Sequence, residues 1–296
     1  MTDRPVSEHD LAALEARVHA ALVQGEAGTL PVLGYGEITL VLGWPPEAPT
    51  AACKRLPVFA DAARAEAYGV LVTEYVDHLH AGGLHVLPTS WHTVPAAHGT
   101  VAGYVVQPVL PEATLVPRVL ADAPDRAREV LDAVLDAVDA VVGPRCGLDA
   151  QLSNWAWRDS RLTYFDVTTP MLSDVGGRTR LDLAHMGTPL PAPLRPVLTR
   201  FAFPGIVAAY HDRRRVVVDL VGNLLKERLD HVVDDAIAAA NARVTPPLTR
   251  TEIDRWYAGN ARMWEVLLRL RRADRWWQRR VRRRTYPFLL PGAIDR

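Results

Sequence analysis

Apolar residues at Leu11, Leu14, Val18, Leu22 and Val23 recur at helical spacing and predict a helix over 8–24. The pattern then changes. Between 29 and 59 short β-branched runs are broken by Gly34, Gly36, Gly43 and Pro45-Pro46, which predicts antiparallel strands near 30–34, 37–43 and 50–55. A helix over about 60–81 follows, then strands over 84–95 and 100–110, the second an apolar run from Val101 to Leu110. From 112 the periodicity is helical. Asp122 is placed to cap a helix with Pro124 in its first turn and an apolar stripe at Val130, Leu131, Val134, Leu135, Val138 and Val142. The stretch WAWRDSRLTYFD reads as a hairpin turning at Asp159-Ser160. Helical spacing resumes from about 180, and Thr249-x-x-Glu252 has the spacing of a capping box opening a last long helix. The expected organisation is a helical extension over 1–28, a β-rich lobe over 29–111, and a helical lobe over 112–296 with the embedded hairpin.

Composition adds exclusions. Among 296 residues, 49% are hydrophobic and 23% charged, an ordinary globular balance that argues against disorder or a fibrous repeat. No apolar run approaches the roughly 18 residues a membrane span needs. The N-terminus, MTDRPVSEHD, carries acids and a proline where a secretory signal carries an apolar core, so a cytoplasmic protein is expected. Cys53 and Cys146 are too few for a disulfide framework or a cysteine zinc site. The histidines show neither HExxH nor another convergent ligand spacing, and Ser153 lies outside a G-x-S-x-G elbow.

Candidate chemistry centres on three oxygen-bearing side chains. Asp149 and Asn154 are five residues apart in the loop before the hairpin, and Asp166 follows its second strand. A hairpin brings its ends together, so Asn154 and Asp166 are expected to be neighbours beside Asp149. An amide oxygen and a carboxylate suit Mg²⁺, a hard cation that shares phosphate oxygens. Asp149 could then accept a proton from a hydroxyl nucleophile. Asp and Asn are also common in turns for purely local hydrogen-bonding reasons, which is the competing reading of each. Upstream, Gly34-Tyr-Gly36 lies between two predicted strands, where backbone can fold over phosphates. Lys54 is one of two lysines against 32 arginines, the other being Lys226, and it falls in the third predicted strand. Its amine would need a carboxylate; Glu66 and Glu74 on the following helix are both in reach. Asp182, His185 and His211 are further cleft candidates, with surface or core roles as the alternative for each.

The order glycine turn, strand lysine, helix glutamate, apolar strand, helix, Asp-x₄-Asn, hairpin, Asp resembles the protein-kinase-like fold, closest to the branch of aminoglycoside and choline phosphotransferases. The resemblance covers about 29–175 and rests on order and spacing. The strings LGYGEITLVLGWP, CKRLP, GLDAQLSNWA and YPFLLPG are also similar to an actinobacterial family of uncharacterised kinase-like proteins. The resemblance implies an α+β, two-lobed protein-kinase-like fold with a β-rich N-lobe and a helical C-lobe. It implies ATP and Mg²⁺ as cofactors and a small-molecule hydroxyl as acceptor. Residue by residue, Gly34 and Gly36 match the nucleotide loop, Lys54 the phosphate-binding lysine and Glu66 its partner. Val105 to Val109, with Gln107, match the adenine-contacting hinge. Asp149 matches the catalytic aspartate, and Asn154 and Asp166 the Mg²⁺ ligands. The chain departs from the pattern in three places. Gly147 stands where kinases carry His, Asp166 is followed by Val-Thr-Thr-Pro, and Pro108 removes a hinge donor. A catalytically silent pseudokinase or nucleotide-binding partner module is therefore the alternative to a transferase.

Charge asymmetry raises a last question. Residues 269–284 hold nine arginines against Asp274 alone, although the whole chain is formally neutral. The tryptophans and aliphatic residues of that segment are expected to pack the helix on the C-lobe. An anionic partner, a membrane surface and nucleic acid are the alternatives, nucleic acid being disfavoured.

Overall fold

A computed structural model describes residues 5–25, 27–28, 30–36 and 38–289; Glu37 of the glycine turn and 290–296 of the expected C-lobe lie outside them. The first helix, α1 (Glu8–Gln24), opens on a capping box in which Ser7 and Asp10 satisfy each other's backbone N–H groups. Five strands follow: β1 (Val32–Tyr35), β2 (Leu40–Trp44), β3 (Ala51–Arg55), then, after helix α2 (Ala62–Ala81), β4 (Ser90–Pro95) and β5 (Val101–Pro108). They form one antiparallel sheet in the order β1-β2-β3-β5-β4.

The period-two alternation of this sheet sends neighbouring residues to opposite layers. Leu40, Leu42, Cys53, Ala102, Tyr104 and Val106 face α1 and its Leu11, Leu14, Val18 and Leu22. Val105, paired in register with Lys54, belongs instead to the core shared with α2 and the helical lobe. Lys54 and Arg55, adjacent in sequence, therefore serve different layers. Arg55 makes a two-pronged contact with Glu15 of α1, at 2.7 and 2.8 Å, and Tyr104 donates to the same carboxylate at 2.6 Å. All three groups are buried, and the geometry satisfies a charge pair that would otherwise be costly to desolvate. The N-terminal helix is thus a full layer of the β-rich lobe.

Chain connection to the second lobe runs from Pro108 through Val109–Pro111 into α3 (Val116–Asp122) and α4 (Ala127–Val141). Asp122 is the last residue of α3, not the cap of α4; a 3-10 turn over Pro124–Arg126 separates the two helices because Pro124 lacks the N–H that a continuous helix needs. The hairpin pairs β6 (Trp155–Arg158) with β7 (Arg161–Tyr164), and Asp159 and Ser160 take the positive φ of its two-residue turn. Short helices α5 (Leu183–Met186), α6 (Arg195–Phe201) and α7 (Phe203–Tyr210) lead to α8 (Arg213–Lys226) and α9 (Val233–Asn241), which pack with α4. The expected strand over 84–95 forms only at its second half, Ser90–Pro95; the first half makes a single parallel bridge from Val86 to Tyr164.

The last helix, α10 (Arg250–Arg280), is capped by Thr249, whose side chain accepts from the Glu252 N–H. Its first turns lie on α8. Arg214 and Glu252 form a two-pronged pair at 2.8–2.9 Å, and Trp256 covers Gly222 so closely that a Cβ there would sit 2.1 Å from the indole. Its far end reaches the other lobe. Arg279 donates to the carbonyls of Val23 and Gln24, at 3.2 and 2.8 Å, at the C-terminus of α1. Arg271 lies over the Phe288 ring, and Leu289 packs on the α1–sheet core. The whole is a two-lobed α+β protein, an antiparallel sheet beside a helical lobe, with α10 touching both.

Candidate active site

The loop over 143–154 is shaped by local packing. Gly147 N–H donates to Met171 O and Leu148 N–H to Tyr210 O, at 2.8 and 3.1 Å. A Cβ on Gly147 would lie 2.9 Å from Tyr210 O and 3.1 Å from the His211 ring. The space a side chain at 147 would fill is therefore occupied by residues from the α7–α8 junction. His211 itself contacts Gly143 O at 3.0 Å through Nδ1, so the imidazole that buttresses this loop comes from a distant part of the chain. Tyr75 of α2 donates to Gly147 O at 3.0 Å and fixes the loop from the opposite side.

Asp149, Asn154 and Asp166 converge as the hairpin argument requires. Phe165 N–H donates to Asn154 O at 3.1 Å and closes the base of the hairpin, which sets Asp166 beside the loop. Asn154 Nδ2 donates to Asp149 O at 3.2 Å, and its Oδ1 has no hydrogen-bond partner among the described residues. Asp166 Oδ1 accepts from the Thr168 hydroxyl at 2.7 Å and lies 3.8 Å from Lys54 Nζ. Its other oxygen has no protein partner among the described residues. An amide oxygen and a carboxylate oxygen, both uncommitted and at one mouth, fit a hard divalent cation that keeps several waters.

Lys54 is buried, and its amine donates to Phe165 O at 2.6 Å while facing Asp166. Burial lowers its pKa, and the Asp166 carboxylate works against that shift. The expected glutamate is not the partner. Glu66 is exposed on α2, and Glu74 pairs with Arg180. The α2 positions facing the cleft carry aromatic residues; Tyr68 donates to Thr168 O at 2.7 Å and so holds the segment after Asp166. The carboxylate that neutralises Lys54 is thus Asp166 itself.

Asp149 is pushed up to about 6, first by burial and then by the neighbouring Asp166 carboxylate. Gln151 Nε2 donates to both its oxygens, at 3.0 and 3.1 Å, and Lys226 Nζ donates to Gln151 Oε1 at 3.1 Å. The chain's two lysines therefore both end at this site, one facing Asp166 and one behind Asp149. Glu227 accepts from Ser153 N–H at 2.9 Å and is raised to about 7 by burial. Neither Gln151, Lys226 nor Glu227 follows from a kinase-like motif. The scarcity of lysine was a usable signal for Lys226, since it applied equally to Lys54.

Two other expectations change. Val105 and Val106 sit inside β5, with backbone engaged by β3 and β4, and Gln107 is buried and donates to Thr89 Oγ1 at 2.9 Å. The interlobe connection follows Pro108, where Val109 N–H is committed to Thr50 O and Pro111 has no N–H. Gly34 lies inside β1, paired with Val41, and not between the strands as expected; Gly36 alone opens the β1–β2 turn, its N–H donating to Thr39 O at 3.0 Å. A Cβ on Gly36 would lie 2.2 Å from Thr39 Oγ1, while Gly34 has open space around it. Only Gly36 is crowded, and by a side-chain hydroxyl that can turn away, so packing requires neither glycine. Asp182 caps α5, and His185 stacks on Phe59 with centroids 4.0 Å apart.

Burial lowers the His185 pKa from 6.5 to about 4, so the ring is neutral in the folded protein. A depressed folded-state pKa contributes stability that is complete above the unfolded value and is lost as pH falls through the folded one. The shift is equivalent to at most about 3 kcal/mol. His185→Gln is expected to flatten the stability profile between pH 6.5 and 4, read from urea midpoints. An unchanged slope would show that this ring is not the titrating group.

Comparison with known proteins places the chain in sequence space. No curated protein matches it. Among solved structures, a chain described as WaaP in complex with acyl carrier protein overlaps at a TM-score of 0.37 and 14% identity, covering 80% of this chain and 91% of that one, an overlap too loose to support a functional argument. A sequence profile described as a family of unknown function, DUF6206, matches residues 13–275, and this chain therefore belongs to the DUF6206 family.

Proposed function

We propose that the protein is an ATP-dependent phosphotransferase acting on a hydroxyl of a small molecule, with Mg·ATP held between the lobes. The observation that carries this reading is the convergence of Lys54, Asp166, Asn154 and Asp149 at one mouth, each with a free or exchangeable polar atom. Asn154 Oδ1 and the uncommitted Asp166 oxygen would hold Mg²⁺, which supplies charge neutralisation at the transferring phosphoryl group. Lys54 offers its ammonium to the phosphates, exchanging Phe165 O for a phosphate oxygen. The Gly36 turn lies apart from this mouth, beside Leu22, Arg55 and Phe288, and is given no phosphate role. Asp149 orients the acceptor hydroxyl and takes its proton as the phosphoryl group transfers. A carboxylate raised to about 6 is a stronger base than an ordinary aspartate and is still ionised at neutral pH. Gln151 and Lys226 hold that carboxylate in place without occupying it fully.

The hinge and the missing α2 glutamate favour a second reading, a nucleotide-binding module without transfer. Two prolines and a committed Val109 N–H leave the connection poor in backbone donors for adenine. One experiment separates the readings. Mg·ATP affinity is measured by calorimetry, and metabolite pools are then screened for an ATP-dependent mass gain of one phosphoryl group. Binding with transfer supports the phosphotransferase. Binding without transfer supports the silent module, and absence of Mg·ATP binding removes both.

A further inference from the structure

We propose that the outer face of α10 is a docking surface for an anionic lipid bilayer. The first turns of the helix bury Ile253 and lay Trp256 on Gly222 of α8. Seven-residue steps from Trp256 reach Met263, Leu270 and Trp277, so the apolar row that α8 covers at its start runs on past it; Val266 and Val281 flank the row, and Asp274 interrupts it between Leu270 and Trp277. Met263, Val266, Leu270, Trp277 and Val281, with Trp276 beside them, are 39–60% exposed among the described residues. The stripe runs about 27 Å along the axis. Arg262, Arg269 and Arg280 stand in the adjoining row with Trp276, all exposed. Between 262 and 284 the acids are Glu265, which pairs with Arg269, and Asp274.

Three occupants compete for such a face, and its chemistry separates them. A second copy meeting it symmetrically would set one arginine-rich window against the other, and like charges across an interface are unfavourable. Nucleic acid would use the arginines and tryptophans but leaves a row of methionine, valine and leucine with nothing to contact. A bilayer with anionic headgroups uses both features. Aliphatic side chains enter the acyl boundary, tryptophans sit at headgroup level, and arginines extend to phosphates with their stems lying on apolar surface. The helix is already formed and held on α8 and α1, so docking would not carry the ordering cost that an unfolded amphipathic segment meets at a membrane.

The full chain is mixed with sedimentable vesicles of phosphatidylcholine alone, or with about 30% phosphatidylglycerol. Binding is expected to anionic vesicles, at least tenfold weaker to neutral ones, and reduced by about 0.5 M NaCl. Leu270→Glu with Trp277→Glu, both at exposed positions, should weaken it at least tenfold with an unchanged melting curve. Met263→Gln with Val266→Gln gives an independent, milder test of the same stripe. The proposal is overturned if the parent ignores anionic vesicles, or if it binds neutral and anionic vesicles equally. It is overturned too if both double variants bind as the parent does, which would leave only diffuse arginine electrostatics. A parent dimer that the glutamate variant dissolves, with no vesicle binding, would assign the stripe to a second copy instead.

Discussion

Asp149→Asn is expected to stop phosphoryl transfer while making the metal-free protein more stable. The substitution keeps shape and most hydrogen-bonding capacity but removes a basic oxygen, so turnover should fall by roughly 10²–10⁴. Mg·ATP affinity should stay within a few-fold, because Asp149 is assigned to the acceptor and not to the metal. The stability arm has the opposite sign. Folding raises this carboxyl to about 6, so the native state holds the proton more tightly than the unfolded chain. That contribution is complete below the unfolded pKa near 4 and is lost as pH rises through 6. At pH 8 in a chelator the parent carries the full penalty, at most about 3 kcal/mol, and the asparagine variant carries none of it. Urea midpoints at pH 5 and 8 measure this directly. An asparagine variant less stable than the parent at pH 8 would make Asp149 a structural anchor of its loop.

Lys54→Met is expected to weaken ATP by roughly 10- to 100-fold, the range for a lost hydrogen bond to a charged group, and adenosine hardly at all. Methionine fills similar volume in the same buried slot, but it leaves Asp166 without its cation and Phe165 O without its donor, so the melting curve should shift down while remaining cooperative. Calorimetry with ATP, ADP and adenosine separates a phosphate contact from a packing effect. Equal weakening of all three would move Lys54 from the phosphates to the framework of the cleft.

The parts of this protein legible in its sequence are those governed by local rules. Strand alternation, the Asp159-Ser160 turn and the geometric closure of a hairpin suffice to bring Asn154 and Asp166 together. Lysine scarcity marks Lys54. What escaped depends on which layer meets which. Glu66 is on the right helix for Lys54, but the rotation of α2 is set by Tyr68, Leu71, Val72 and Tyr75 entering the core, which turns Glu66 to solvent. Glu15 lies in a helix whose apolar spacing predicts burial of its neighbours, yet nothing local shows that Arg55, some 40 residues on, awaits it. The apolar content of α10 was visible, but spacing alone does not reveal that α8 covers its apolar row at Trp256 and leaves Met263, Leu270 and Trp277 exposed.

The contacts of α10 also change how the lobes can move. Two bodies joined by the Val109–Pro111 connection alone could swing apart like covers on a spine. Here α10 is anchored to α8 by Arg214 and Trp256 and fastened to the end of α1 by Arg279. The hinge, the two lobes and this helix form a closed four-part linkage. Swinging the lobes apart would require releasing the two α1 carbonyls as well as the contacts by which Tyr68 and Tyr75 of α2 hold Thr168 O and Gly147 O, so α10 adds a second clasp to one that α2 already makes.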